Sequence, residues 1–300
     1  MSKADVVKSD EKIVRTVKMS PKKVITNTLV HVLLAVLAFI WVMPLFWVVL
    51  TSFRAESGSY TTTFLPKSYT LNNYIQLFTD TSIFNFPRAF MNTLIVAIFS
   101  CILSTFFTIS VAYTMSRLRF KLRKPFMNIA LILGMFPGFM SMIAVYYILK
   151  GIGLTEGALK LVALVIVYSA GSGLQFYVAK GFFDTISKSL DEAAYLDGAT
   201  KFQVFTKVIS PLSKPIIVQT VLQSFMAPWM DFIFAKVIIG TDPKYYTVGI
   251  CLWNMLQKEY IDRFYTRFAS SAVLVSIPIA ILFCCMQGCY SESVSGAVKG

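Results

Sequence analysis

Apolar residues gather along this chain in long blocks separated by shorter polar stretches. A bilayer core about 30 Å thick takes roughly 20 apolar helical residues to cross. Six blocks meet that length: Thr28–Leu50, Ala89–Tyr113, Pro125–Leu149, Leu161–Ala179, Ile216–Gly240 and Ala269–Tyr290. The pattern predicts an all-α integral membrane protein with six transmembrane helices over residues 28–290, between tails at 1–27 and 291–300. The first block follows a basic tail that also carries acids, and it has no small-residue cleavage pattern. It therefore reads as an anchor and not as a removable signal peptide.

Two polar segments interrupt the blocks. Thr51–Pro87 is rich in Thr, Ser, Asn and aromatics, whereas residues 181–215 mix acids and bases and are too polar to span. Basic residues set the orientation, because cytoplasmic loops collect them. With the N-terminus inside, the inner segments hold 18 Lys and Arg and the outer segments nine, Lys236 lying within a span. Both termini and residues 181–215 are then expected in the cytoplasm. The run Arg117–Lys124 is the firmest single marker, and meeting anionic lipid is a by-product of its position.

Composition agrees. Of 300 residues, 56% are hydrophobic and 14% charged, against roughly 45–50% and about 25% in soluble domains. Disorder, a collagen, a disulfide scaffold and a cytosolic enzyme are excluded. The net charge of +13 would suggest nucleic acid in a soluble protein; in a membrane chain it reports topology, and no nucleic-acid partner is expected. Cys101, Cys284, Cys285 and Cys289 lie in apolar runs and Cys251 stands alone, so no disulfide is expected. His31 is the single histidine, which leaves no metal site.

The segment 181–215 carries the main signal. Ser189-Leu-Asp-Glu192 has the form of a capping box, a hydroxyl at the helix start answered by a carboxylate three residues on. Asp191 and Glu192 fall in the first turn, where the helix dipole favours acids. Ala193 and Ala194 extend the helix, and Gly198 can end it in a left-handed cap. A second box, Thr200-Lys-Phe-Gln203, opens a helix running to Pro211. The sequence thus predicts two short helices joined at Gly198-Ala199. Small residues there admit a partner's backbone, and exposed acids give it charges to read.

Glu192-Ala193-Ala194-x-x-x-Gly198-Ala199, followed by Pro211-Leu212 and Pro215, resembles the EAA loop of ABC-importer permeases. Val208 and Ser210 stand where that pattern usually has Ile and Leu. The segment Pro66-x-x-x-Thr70-Leu71-x-Asn73-Tyr74-x-x-Leu77-Phe78 resembles the outer-loop signature of sugar permeases. Asn92-Thr93-Leu94, Ala112-Tyr113 with Ser116-Arg117, and Gly296–Gly300 are similar to the MalG-type permease subunits of maltose and oligosaccharide importers. Ala227-Pro228-Trp229-Met230-Asp231-Phe232-Ile233-Phe234 looks most like maltodextrin and galacto-oligosaccharide importers. The resemblance implies a multi-pass subunit of a bacterial cell membrane. Its loop between helices four and five docks into a cleft of an ATP-binding subunit through Asp191, Glu192, Ala193, Ala194, Gly198 and Ala199. It further implies a second, non-identical permease of MalF type, two ATP-binding subunits and an external sugar-binding protein. The cargo it implies is an oligosaccharide, maltodextrin first and galacto-oligosaccharides or raffinose-like sugars as alternatives.

What is missing fits. No two glycines have the spacing of a P-loop, and no Ser/His/Asp constellation exists, so this chain is expected to be no enzyme and to bind no cofactor. ATP and Mg belong to partner subunits. Asp231 is the single acid within a span, a functional candidate because charge at membrane depth costs about 2.5–3.5 kcal/mol. It reads either as a translocation-path or gate residue or as an interhelical hydrogen-bond partner. Pro228, Gln175 beside Gly171-Ser172-Gly173, Pro137 and Pro278 mark places where helices break, and Trp229 is either a sugar-stacking ring or a core aromatic. An ion-coupled secondary transporter using Asp231 is the rival from another class. A lone acid and the absence of a repeated half speak against it. A membrane scaffold or insertion protein that moves no sugar is a further rival.

Overall fold

The computed structural model describes residues 21–58, 63–135, 138–170 and 173–297. Expectations at Pro137, Gly171 and Ser172, and most of the N-terminal tail, lie outside these residues. The described secondary structure is helical apart from one isolated bridge between Arg54 and Tyr69. By internal packing the chain divides into residues 1–47 and residues 48–300. The first unit contributes most of α1 (Pro21–Ser52).

The second unit begins with α2 (Asn72–Thr79), α3 (Phe86–Arg117), α4 (Arg123–Gly134), α5 (Gly138–Gly151), α6 (Leu159–Ala170) and α7 (Gly173–Thr185). Then come α8 (Ser189–Leu196), α9 (Lys201–Gln203), a π-helical turn at Val204–Ile209 and α10 (Ser210–Leu212). The last elements are α11 (Lys214–Met230), α12 (Ile233–Ile239), α13 (Val248–Met255) and α14 (Ile261–Ala297). Ile25–Ser52, Phe86–Arg117, Leu159–Thr185 and Ile261–Gly288 are each long and apolar enough to cross a membrane. The expected fifth span is a bent pair, α11 and α12 meeting at 61°. The expected third span, Pro125–Leu149, is divided between α4 and α5, each too short to cross alone.

Helix α3 is the axis of this unit, for a reason visible in its residues. Thr93, Ala97, Ser100, Ser104, Thr108, Ala112 and Ser116 are buried at intervals of three or four, so one stripe of small side chains lets neighbouring helices approach closely. Helices α6, α7 and α11 pack on it. Its hydroxyls also make cross-links: Ser224 donates to Ser104 at 2.9 Å, and the Val248 amide donates to Thr93 at 2.8 Å. Asn85 caps its start by accepting from the Arg88 amide.

The polar segment after α1 is clasped to α14 by Asn73, which lies in the stretch that resembles the outer loop of sugar permeases, and by Asp80 beyond it. Asn73 is buried and donates to the carbonyls of Ser52 and Arg54, while its oxygen accepts from Thr266. Arg54, 1% exposed, donates to the Thr63 and Phe64 carbonyls. Asp80 accepts from Arg267 at 2.7 Å. The Ser82 hydroxyl first, then Arg267, holds the Asp80 carboxyl down at about 2.

Candidate functional site

Helix α8 and the turn after it form a compact projection. The second expected box is present in full: the Gln203 amide donates to Thr200 Oγ1 at 3.3 Å, and the Thr200 amide to Gln203 Oε1 at 2.8 Å. The first is not. Lys188 already has helical torsions, so Ser189 is the first helical residue and not the cap. Its hydroxyl turns back to Ser187 at 2.7 Å, and its amide donates to Ser187 Oγ at 3.3 Å.

The end of α8 is as the glycine predicts. Gly198 has φ +82°, a conformation that glycine adopts without steric penalty. Its amide donates to Tyr195 O at 3.0 Å and the Ala199 amide to Ala194 O at 2.9 Å, the two bonds of a Schellman cap. Ala194 and Ala199 pack on a buried cluster that includes Ile109, Phe183, Val204 and Ile209. Glu192, Ala193 and Gly198 face out, and Leu196 is 89% exposed.

Asp191 departs from the expectation of exposed acids. It is buried, with Oδ2 3.2 Å from Arg117 Nε at the end of α3. Arg117 also donates to the Ile186 carbonyl at 2.9 Å. The charge that α8 offers outward is therefore Glu192, while Asp191 fastens α8 to a membrane helix. Burial pushes the Asp191 carboxyl above the ordinary carboxylate range against the pull of Arg117.

At the far end of α11 the chain turns at Asp231, whose backbone is extended, three residues after Pro228. The Asp231 carboxylate accepts from the Phe234 amide at 3.2 Å, the Ala235 amide at 3.1 Å and the Tyr168 hydroxyl at 2.6 Å. It thus caps α12 and ties the bend to α6. Lys236 does not pair with it; its amine donates to the Tyr246 hydroxyl at 3.1 Å. Gly249 lies so close that a Cβ there would sit 2.6 Å from Asp231 O. A cavity of about 640 Å³ opens beside the bend, within the size range of small-molecule sites. Asp231, Tyr168, Gln175, Gln223, Ser141 and Ser224 supply its polar atoms, and Gln175 donates to Gln223 at 3.4 Å. Pro228 and Trp229 do not line it. Trp229 is buried, edge-on to Phe90 at 5.2 Å.

The model of the family described as "Binding-protein-dependent transport system inner membrane component" matches residues 104–291. The chain belongs to that family. It is an ABC-type permease of the cell membrane, and the matched stretch includes α8, the bend at Asp231 and the cavity. The permease is 32% identical over 272 residues to the galactooligosaccharides transport system permease protein GanQ of Bacillus subtilis (strain 168), covering 90% of this chain and 94% of GanQ. It is 28% identical over 282 residues to the maltodextrin transport system permease protein MdxG of the same organism, covering 94% and 99%. Among solved structures, a bacterial ABC transporter involved in the import of the acidic polysaccharide alginate has a chain that aligns with TM-score 0.73 and 22% identity. That alignment covers 90% of this chain and 98% of the other.

Sequence reasoning missed Arg117, Tyr168, Gln223 and Gly249 as parts of these sites. Each acts on a residue distant in the chain; Arg117 stood out only as a topology marker and within the permease resemblance, and nothing in the neighbourhood of the other three marks them.

Proposed function

We propose that this permease is one membrane-spanning subunit of an ABC importer for oligosaccharides, maltodextrin first. It works beside a second, non-identical permease of MalF type, two ATP-binding subunits and an external sugar-binding protein. The observation that carries the reading is similarity along nearly the whole chain to permeases named for galactooligosaccharides and maltodextrin. ATP and Mg are used by the partner subunits and no cofactor is held here. In this reading α8 faces the cytoplasm, and Glu192, Ala193, Ala194, Gly198 and Ala199 meet the ATP-binding subunit, with Asp191 holding α8 in place behind them. Galacto-oligosaccharides are the second cargo, favoured by the higher identity to GanQ.

The test is uptake into vesicles holding the complete importer and its binding protein, with maltotriose and a galactobiose as cargoes. Uptake requires ATP inside the vesicle and persists when a protonophore collapses the proton gradient. Uptake driven by the gradient alone would sink the reading in favour of an ion-coupled carrier, and assembly without uptake of either sugar would favour a scaffold.

We place Asp231, together with Gln175, at the translocation path or its gate, a reading supported by the cavity that both line. Asp231→Asn offers one oxygen where an amide pair and the Tyr168 hydroxyl all donate. The variant loses at least one charge-assisted bond, each worth about 1.5–3 kcal/mol. It assembles with its partners, and its ATP turnover responds at least threefold less to sugar-loaded binding protein. Wild-type stimulation in the assembled variant would remove Asp231 from the gate.

A further inference from the structure

Helices α4 and α7 enclose a second cavity, of about 410 Å³, at the end of the bundle that carries α8. It is unrelated to the sugar path in its chemistry. Its lining holds Arg123 and Lys124 from the first turn of α4 and Lys180 from α7. Lys180 is paired with Asp184, which also accepts from Ser116. Arg123 and Lys124 have no ion pair among the described residues. Asp184 also interacts through space with Arg123, so three cations share the single Asp184 carboxylate and the site is net positive.

The lining combines basic, polar and apolar side chains. Leu131 is eight residues along α4 from Arg123, about 12 Å at 1.5 Å per residue. Tyr177 is three residues before Lys180, about 4.5 Å away along α7. Cations thus stand at the end nearest α8, and the Asn128 amide, the Tyr177 hydroxyl and the apolar Met127 and Leu131 lie along the two helices beyond them. A soluble anion has use only for the first of these zones. A phospholipid uses all three: phosphate at the cations, glycerol and ester oxygens at the amide and hydroxyl, and acyl chain on the apolar wall.

We propose that this cavity binds the headgroup of an anionic phospholipid from the leaflet on the α8 side. The proposal rests on the reading that this side is cytoplasmic, the leaflet whose surface is negatively charged. An occupant there would sit one helix away from the Arg117–Asp191 pair. Asp184 reaches both regions, joined to Lys180 on one side and to Ser116, the neighbour of Arg117, on the other.

The complete importer, delipidated in mild detergent and titrated with dioleoyl-phosphatidylglycerol under native mass spectrometry, tests it. The wild type takes up the lipid at low occupancy before general coating begins. Arg123→Gln with Lys124→Gln weakens that first binding about 30-fold, the equivalent of roughly 1 kcal/mol per basic residue. Arg119→Gln with Lys121→Gln removes the same charge from the adjoining loop outside the cavity, and stays within about threefold of wild type. Leu131→Trp fills the apolar part without touching charge, and also weakens the lipid. Equal weakening by the two charge variants would reduce the effect to general surface charge and overturn the site. So would no weakening by the Arg123/Lys124 variant, or displacement of the lipid by an equal concentration of free glycerol phosphate. The same spectra report assembly, so misfolding is seen directly. Lipid binding is read without reference to transport, so failure here leaves the docking of α8 standing. Failure of that docking, read by Gly198→Trp, leaves the lipid count unchanged.

Discussion

Gly198→Trp is expected to abolish sugar uptake while the helices of the permease stay folded and the sister subunit stays bound. A Cβ at this position meets nothing within 4 Å in the chain itself, and Gly198 is exposed, so a larger side chain can extend outward in the isolated subunit. What it lacks is room in a docked one. The left-handed φ of +82° adds a penalty of roughly 1–2 kcal/mol for any residue with a Cβ, and this strain must be separated from bulk. Gly198→Ala carries the same strain without the ring and is expected to retain most uptake. The difference between the two variants isolates the docking surface. Co-purification of the ATP-binding subunit and uptake, measured together, read it. Normal uptake by the Trp variant would remove α8 from the coupling path.

The second large effect is at the Arg117–Asp191 pair. Asp191→Asn leaves a guanidinium whose side chain is 4% exposed without its counter-charge, and breaking a buried pair from one side costs about 3–5 kcal/mol. The variant is expected to unfold at lower temperature and to hydrolyse ATP without matching uptake, because α8 loses its hold on α3. Arg117→Leu gives a different pH profile. There the Asp191 carboxyl, already raised by burial, loses the one strong influence that lowers it and rises further. Native protein then binds a proton more tightly than unfolded protein, so stability falls as pH rises through the folded value and returns as pH falls. The Arg117→Leu defect should shrink between neutral and mildly acid pH, whereas that of Asp191→Asn should not, since arginine stays charged. Thermal melts of both variants at the two pH values check this. Identical profiles would mean that the pair contributes little. A double variant to leucine at both positions should recover stability without coupling, which separates the charge pair from the packing around it.

The short-range features were legible because their causes are short-range. Four of the apolar blocks of membrane length, the Thr200–Gln203 box and the glycine stop at Gly198 each depend on residues within one or two turns, and these stand in the structure, while the third block is divided and the fifth is bent. The Ser189 box failed on the same scale, because one residue's backbone, Lys188, entered the helix early. That shift leaves the composition of the segment unchanged.

The sequence by itself determined that the chain is a set of membrane helices interrupted by two polar segments, the second a helix-capped projection, since burial in lipid and satisfaction of helix ends are properties of local residue pattern. Tertiary structure alone decided which charges are offered and which are spent. Asp191 and Glu192 are adjacent in the same turn, yet α3 places Arg117 against one and leaves the other exposed. Asp231 became the cap of a bent helix because α6 brought Tyr168 to it and α13 brought Gly249 close enough to fix the turn. A buried polar group must find a partner wherever packing delivers one, and in this permease the partners come from other helices.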